Sequence, residues 1–336
     1  MAKTVAINGF GRIGRLCFRE ICSNFKNLEI VAINDTREPK ILSYLLKYDS
    51  IYGMYSKSVR IKDGNLWVEG KEVKLFSEKN PLKLPWKDLK VDIVLECSDS
   101  PNLNFLKNHL KAGAKKVIVC GDHLINFNIP LFILGVNEEN YEKKYDIVSI
   151  GSCNLNCLAP ILKVLSQNFE LKNCFFNVIH SLSQEQIILG KENGDIRKSR
   201  IEDLSIVPIL INREVKLVQQ LIPSLKDKIE GMMVRVPVST VSSLDLICEI
   251  DGKSSREELN YIFKKASQEK RLIGILGIED APLISSDYIG NSFSAIIDAN
   301  LTRVMGNLVR IFAWYDNELS VARRLAEFAN FVSEML

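Results

Sequence analysis

The sequence predicts an α/β protein: an N-terminal Rossmann-type doubly wound parallel sheet, then an α+β domain built on a largely antiparallel sheet. Three observations carry this. Short apolar runs of strand length alternate with amphipathic helical stretches up to about residue 150, the pattern of βαβ units. The first of these units holds Gly9-Phe10-Gly11-Arg12-Ile13-Gly14 between its strand and its helix. Past residue 170 the runs lengthen and alternate apolar with polar residues, as strands with one face on a core do.

Taken in order, Val5-Ala6-Ile7-Asn8 reads as a short buried strand, followed by the glycine turn and a helix carrying Ile13, Leu16, Cys17 and Ile21 on one face. Leu28 to Ile33 reads as a second strand ending at Asn34-Asp35. Each part of this unit has a physical task. Gly9, Gly11 and Gly14, with Arg12 and Ile13 between them, form a tight turn that lets a pyrophosphate approach the backbone, and the helix N-terminus attracts its charge. Asp35 suits a ribose diol and repels a 2′-phosphate, which favours NAD over NADP; the alternative is a plain strand-end turn residue. A helix follows at about 41–47, then hairpin strands within 59–76 around Asp63-Gly64. Val91 to Glu96, Lys116 to Cys120 and Tyr145 to Ile150 read as buried strands, with a helix near 102–112 between the first two. Asp35, Ser98, Cys120 and Cys153 all follow strand ends, the edge where open α/β sheets bind ligands.

In the second half, Phe175 to Ser181, Met232 to Ile250, Ser292 to Thr302 and Asn307 to Tyr315 read as strands. Ser254-Ser255-Arg256-Glu257 reads as a capping box opening a helix that runs to about Gln268. Asn317 to Leu336 reads as a closing helix with Leu325, Phe328 and Val332 in one stripe. The expected domains are 1–152, completed by 318–336, and 153–317.

Composition narrows the function class. The chain has 336 residues, 46% hydrophobic and 25% charged, which is ample for two ordinary cores. A net charge of +3 is too small to indicate nucleic acid as the partner. No apolar stretch is long enough to span a membrane. Eight dispersed cysteines without an export signal point to reduced thiols and a cytoplasmic location. Cys153 and Cys157 form a lone pair that no second pair completes, so no metal site is expected.

Cys153 stands where a strand gives way to a helix, a place where unpaired backbone N–H groups and the helix dipole favour a thiolate. The residues alone also fit a buried structural cysteine. A nucleophilic cysteine needs a base, and only three histidines exist. His109 and His123 are expected at the surface, in a charged helix and a loop. That leaves His180, in a strand-like run, as the base or as a half-buried structural histidine.

The chain resembles, end to end, the phosphorylating glyceraldehyde-3-phosphate dehydrogenases. The resemblance rests on Val5 through Arg15, Ser152-Cys153 with Asn156-Cys157-Leu158-Ala159-Pro160, His180-Ser181, Val234-Arg235-Val236-Pro237 and Trp314-Tyr315-Asp316-Asn317-Glu318. It implies Cys153 as nucleophile and His180 as base, with thiohemiacetal and thioester intermediates. It adds Lys79, Ser98, Cys120 and Asn317 to the NAD-binding set, Asn317 holding the nicotinamide carboxamide. It places Ser152, Asn154, Ser183 and Arg235 around substrate and phosphate, and it implies a homotetramer acting in glycolysis or gluconeogenesis. Several positions depart from the family pattern. Asn154-Leu155 replaces two threonines, Ile209 to Arg213 replaces a hydroxyl-and-glycine segment, Ser98-Asp99 replaces Thr-Gly, and the 184–200 loop is unusual. The expected activity is NAD-dependent, phosphate-using oxidation of glyceraldehyde 3-phosphate. One alternative is an erythrose-4-phosphate dehydrogenase-like enzyme that releases its acid by water. Another is a weakly active relative that binds a nucleotide or a partner.

Overall fold

Val5, Ala6 and Ile7 are fully buried, which is why the strand they form, β1 (Lys3–Asn8), lies in the interior of its sheet. The computed structural model describes residues 2–99, 101–121, 128–182, 197, 199–200 and 204–336. These fall into two compact units, one of Met1–Phe132, Glu139–Gly151 and Val321–Leu336, the other of Ile133–Glu138 and Ser152–Ser320.

The first unit contains β1, α1 (Arg12–Asn24), β2 (Leu28–Asn34), α2 (Pro39–Lys47), β3 (Val59–Lys62), β4 (Asn65–Val68), β5 (Lys71–Phe76), β6 (Ile93–Glu96), α3 (Leu103–Lys111), β7 (Lys116–Val119) and β8 (Ile147–Ser149). Its sheet has the order β3-β4-β5-β2-β1-β6-β7-β8, and the six strands from β5 to β8 pair in parallel. The chain winds from β1 to β2 on one side and returns to β6 on the other, so the strand order reverses beside β1. Such switch points open a crevice at the strand C-termini. Asp63 and Gly64, both at positive φ, make the tight turn of the β3–β4 hairpin. Ala6, Ala32, Val94 and Val117 pack with Leu106 of α3 and Trp86 in one apolar cluster.

His109 corrects the surface assignment. Its charged neighbours in sequence suggested exposure, yet it follows Leu106 by three residues and therefore shares that residue's core-facing stripe. It is fully buried. Trp86 Nε1 donates to its Nδ1 at 2.8 Å, so its Nε2 carries the proton and donates to Glu96 at 3.0 Å.

The second unit holds α4 (Cys153–Asn168), β9 (Leu171–His180), β10 (Val207–Leu210), α5 (Asn212–Leu221), β11 (Ile229–Arg235), β12 (Ser242–Ile250), α6 (Arg256–Ser267), β13 (Leu276–Glu279), β14 (Ala295–Asp298), β15 (Arg303–Met305) and β16 (Leu308–Tyr315). A last helix, α7 (Leu319–Met335), gives its residues from Val321 onward to the first unit. The second sheet runs β10-β11-β9-β12-β16-β14-β13, with β15 beside β16. Most of its pairs are antiparallel; β11–β9 and β13–β14 are parallel. The run from Met232 to Ile250 is two strands. Between them Val241 adopts φ +67°, unusual for a β-branched residue, and it is held there by packing against Tyr288 and Ile296. The α6 cap sits one residue later than the sequence suggested: Ser255 Oγ accepts the Glu258 amide at 3.1 Å.

Candidate active site

In the first unit, the glycine turn is built by close approach. Gly9 takes φ +87°, and its amide donates to the Asn34 carbonyl at 2.9 Å. A Cβ on Gly14 would stand 2.2 Å from the Gly9 carbonyl oxygen, and a Cβ on Gly9 would stand 2.5 Å from the Ser98 amide nitrogen. Only glycine fits either place, and Gly11 then caps α1. This is the surface a dinucleotide pyrophosphate requires.

Asp35 follows β2 and accepts four hydrogen bonds. Phe10 N at 2.7 Å and Arg37 Nη2 at 2.6 Å reach Oδ2, while Arg37 N at 3.0 Å and Arg37 Nε at 2.8 Å reach Oδ1. Burial works against the charged carboxylate. The Arg37 bonds and the Phe10 amide outweigh it and hold the carboxyl below the ordinary range. Arg12 pairs with Asp49 at 3.4 Å, Ile13 is half-buried and Lys79 is exposed. The Ser98 amide and hydroxyl both donate to the buried Glu96 carboxylate, at 2.9 and 2.5 Å. The Asn8 amide donates to both Glu96 oxygens, at 3.0 and 2.8 Å. Burial pushes the Cys120 thiol up to about 11.

In the second unit, register places a polar row across four strands. Arg235 stands opposite His180 in the parallel β11–β9 pair, and Ser243 stands opposite Ile179, which brings Ser242 beside His180. Ser242 in turn faces Tyr315. All four side chains are buried. The first turn of α4 lies against this row. Cys153 is its first residue, and its sulfur lies 3.7 Å from His180 Nε2 and 3.5 Å from Asn154 Oδ1. Ser152 caps the helix by accepting the Leu155 amide at 3.3 Å.

The His180 tautomer follows from its other nitrogen. Nδ1 is 2.6 Å from the Ser181 carbonyl, which only accepts, so Nδ1 carries the proton and Nε2 presents a lone pair to the sulfur. Burial pushes the imidazole down from 6.5 to about 4; the Ser181 bond opposes this and the Arg235 charge adds to it. The resting imidazole is therefore neutral near pH 7.

Asn317 is oriented by two hydroxyls. Ser181 Oγ donates to its Oδ1 at 2.8 Å, and Ser242 Oγ lies 3.5 Å from the same atom, so the amide NH₂ faces the other way. Asn154 turns into the sheet: Tyr315 Oη donates to its Oδ1 at 2.8 Å, and its Nδ2 points at the Met233 sulfur at 4.0 Å. The amide expected to meet phosphate is thus engaged by the core. Ile209 in β10 and Ile211 just beyond it are buried and Leu210 is exposed, so these three residues offer no side-chain donor where the family pattern has hydroxyls. Ser183, His123 and most of the 184–200 loop lie outside the described residues. Among the described residues, no group of three or more His, Cys, Asp or Glu side chains is placed to hold a metal ion. No described helix is long and apolar enough to cross a membrane.

Four residues with clear parts in these sites escaped the sequence argument: Ser181, Ser242, Tyr315 and Arg37. Ser181 and Tyr315 lie inside motifs that drew notice for their neighbours. Arg37 follows the acid by two residues, the spacing at which a long cation folds back on a carboxylate.

Residues 3–102 match the family described as glyceraldehyde 3-phosphate dehydrogenase, NAD binding domain, and residues 152–317 match its C-terminal domain. The chain is 40% identical to glyceraldehyde-3-phosphate dehydrogenase A, chloroplastic, of Chlamydomonas reinhardtii, over 97% of this chain and 87% of the relative. It is 39% identical to glyceraldehyde-3-phosphate dehydrogenase of Borreliella burgdorferi, over 97% and 98%. It is also 39% identical to glyceraldehyde-3-phosphate dehydrogenase 1 of Bacillus cereus, over 98% of each.

Proposed function

This chain belongs to the glyceraldehyde-3-phosphate dehydrogenase family, and on that footing we propose that it oxidises glyceraldehyde 3-phosphate to 1,3-bisphosphoglycerate with NAD and inorganic phosphate. It is an NAD-dependent oxidoreductase acting on an aldehyde. The proposal concerns the substrate, the acceptor and the part each residue plays.

The observation that supports it most is the sulfur of Cys153 at 3.7 Å from an imidazole nitrogen whose lone pair is fixed toward it. Cys153 passes its proton to His180 Nε2 and its electron pair to the aldehyde carbon, and a thiohemiacetal forms. Burial makes the resting imidazole a weaker base than a free one, and its Nε2 lone pair faces the sulfur. His180 returns the proton to the new alkoxide, aided by the first-turn amides of α4. Bound NAD supplies the hydride acceptor. As hydride leaves carbon, His180 Nε2 takes the hydroxyl proton, and the thioester remains on Cys153. A phosphate oxygen then attacks the thioester carbon, the C–S bond breaks, and His180 reprotonates the departing sulfur. Arg235, Ser152 and Ser183 are assigned to anionic groups of substrate and acceptor. Asn317, turned by Ser181 and Ser242, donates its NH₂ to the nicotinamide carboxamide. Gly9 to Gly14 receive the pyrophosphate and Asp35 the ribose diol. A homotetramer and a cytosolic place in glycolysis or gluconeogenesis belong to the same proposal.

Purified protein with NAD and glyceraldehyde 3-phosphate, followed for NADH with and without phosphate or arsenate, tests it. Phosphate-dependent turnover is expected. The apolar Ile209–Ile211 segment and the core-bound Asn154 favour one competing reading, hydrolytic release as in an erythrose-4-phosphate dehydrogenase. Turnover indifferent to phosphate, or preference for a four-carbon sugar phosphate, would establish that reading instead. Absence of NADH with any aldose phosphate would overturn both.

A further inference from the structure

The four donors on Asp35 raise a question of capacity. A carboxylate has about four lone-pair positions, two on each oxygen, and all four are taken. A ribose diol needs two of them. The Phe10 amide and the Arg37 amide are backbone donors and stay. The Arg37 side chain contributes the other two, one on each oxygen, and it is 36% exposed, with room to leave. The positions that its departure frees are the number and placement a cis-diol uses. Diol binding and the guanidinium clamp therefore exclude each other.

A 2′-phosphate makes the opposite demand. It has no hydroxyl to donate at that position, and a bare Asp35 repels it. With the clamp closed the carboxylate charge is matched by a guanidinium. Of the five N–H groups of arginine, only Nε–H and one Nη2–H are spent on Asp35; three remain for an anion, a geometry suited to phosphate. Arg12 and Arg37 both act on the buried Arg15, whose value burial pushes down to about 10, while the carboxylates Asp49 and Asp99 partly offset these charges.

We propose that Arg37 is a specificity-determining residue: clamped on Asp35 it accepts the 2′-phosphate of NADP, and displaced from Asp35 it yields to the ribose diol of NAD. The protein thus binds both nucleotides, with a selectivity set by the clamp and weaker than Asp35 alone would impose. This rests on the cofactor reading given above.

Calorimetric titration of the full chain with NAD and with NADP, in wild type and Arg37→Leu, tests the assignment without turnover. Wild type binds both. In Arg37→Leu, NAD binds more tightly and NADP more weakly, and the ratio of affinities moves toward NAD by about tenfold or more. Arg37→Lys, which keeps the charge and loses the fork, falls between. A wild type that binds NAD and excludes NADP overturns the proposal. So does an Arg37→Leu ratio within about threefold of wild type while NAD still binds; either result leaves the cofactor reading intact. A wild type that binds neither nucleotide overturns the cofactor reading and the Arg37 assignment with it.

Discussion

His180 offers the sharpest physical test, because its burial has a signature in stability as well as in catalysis. The ring is 7% exposed and titrates at about 4 in the folded chain against 6.5 when free. As the pH falls below 6.5 the unfolded chain takes up a proton that the folded chain refuses, so stability declines, and it goes on declining until the folded imidazole also protonates near 4. Across that interval the loss from this one group is about 3 kcal/mol, each pH unit being worth about 1.4 kcal/mol. His180→Gln removes the titrating group and keeps a similar volume. Urea unfolding of both proteins between pH 7 and pH 4 should give curves that converge toward acid by roughly that amount, with the carboxylates common to both cancelling. The three histidines of the chain also give only three imidazole signals by NMR, and the one lost in His180→Gln should titrate below pH 5. Parallel stability curves, or a signal with an ordinary midpoint near 6.5, would refute the account of a neutral buried base.

Other outcomes follow from the same geometry. Cys153→Ser should abolish NADH formation while NAD affinity stays within a few-fold; retained oxidation would remove Cys153 from its role. Gly14→Ala forces a Cβ to 2.2 Å from the Gly9 carbonyl oxygen, so the turn must open. Thermal unfolding should show a loss on the order of 1–3 kcal/mol together with much weakened NAD binding, and an unchanged protein would contradict the close-approach argument. Tyr315→Phe leaves the buried Asn154 carbonyl without its 2.8 Å donor. Stability should drop by about 1–3 kcal/mol, measured by denaturant unfolding, and a neutral effect would show that Asn154 is not anchored there. Asp35→Ala should relax discrimination against NADP, read from the two binding constants.

Much of the fold is legible in the chain because its determinants are local. β1, the glycine turn, α1 and β2 are contiguous, and each announces itself by period or by glycine. The second sheet is harder. Its antiparallel character shows in alternation, but whether β11 joins β9 in parallel depends on how the chain between residues 181 and 228 crosses over, which no period records. Val241 marks the same limit: a valine at positive φ is maintained by Tyr288 and Ile296, residues roughly fifty positions away. For His109 the charged neighbours in sequence point to the surface, and the helical spacing that sets it beside Leu106 overrides them. Cys153 and His180 stand out in the sequence as candidates, the one by motif and the other by scarcity. The approach of Cys153 to His180, and of the Ser181 and Ser242 hydroxyls to Asn317, are contacts that only the fold creates.

The departures from the family pattern illustrate how a substitution can change its environment's chemistry without disturbing the scaffold. Asn154 fits because the sheet offers its carbonyl a phenol and its amide a sulfur. The same oxygen lies 3.5 Å from the Cys153 sulfur, so it competes with His180 for the thiol hydrogen. A carbonyl acceptor stabilises the thiol and does nothing for the thiolate. Against it stands the N-terminus of α4, of which Cys153 is the first residue and whose unpaired amides favour the anion. The sulfur thus has two acceptors within reach, Asn154 Oδ1 at the start of α4 and His180 Nε2 at the end of β9, and burial makes the second a weaker base than a free imidazole.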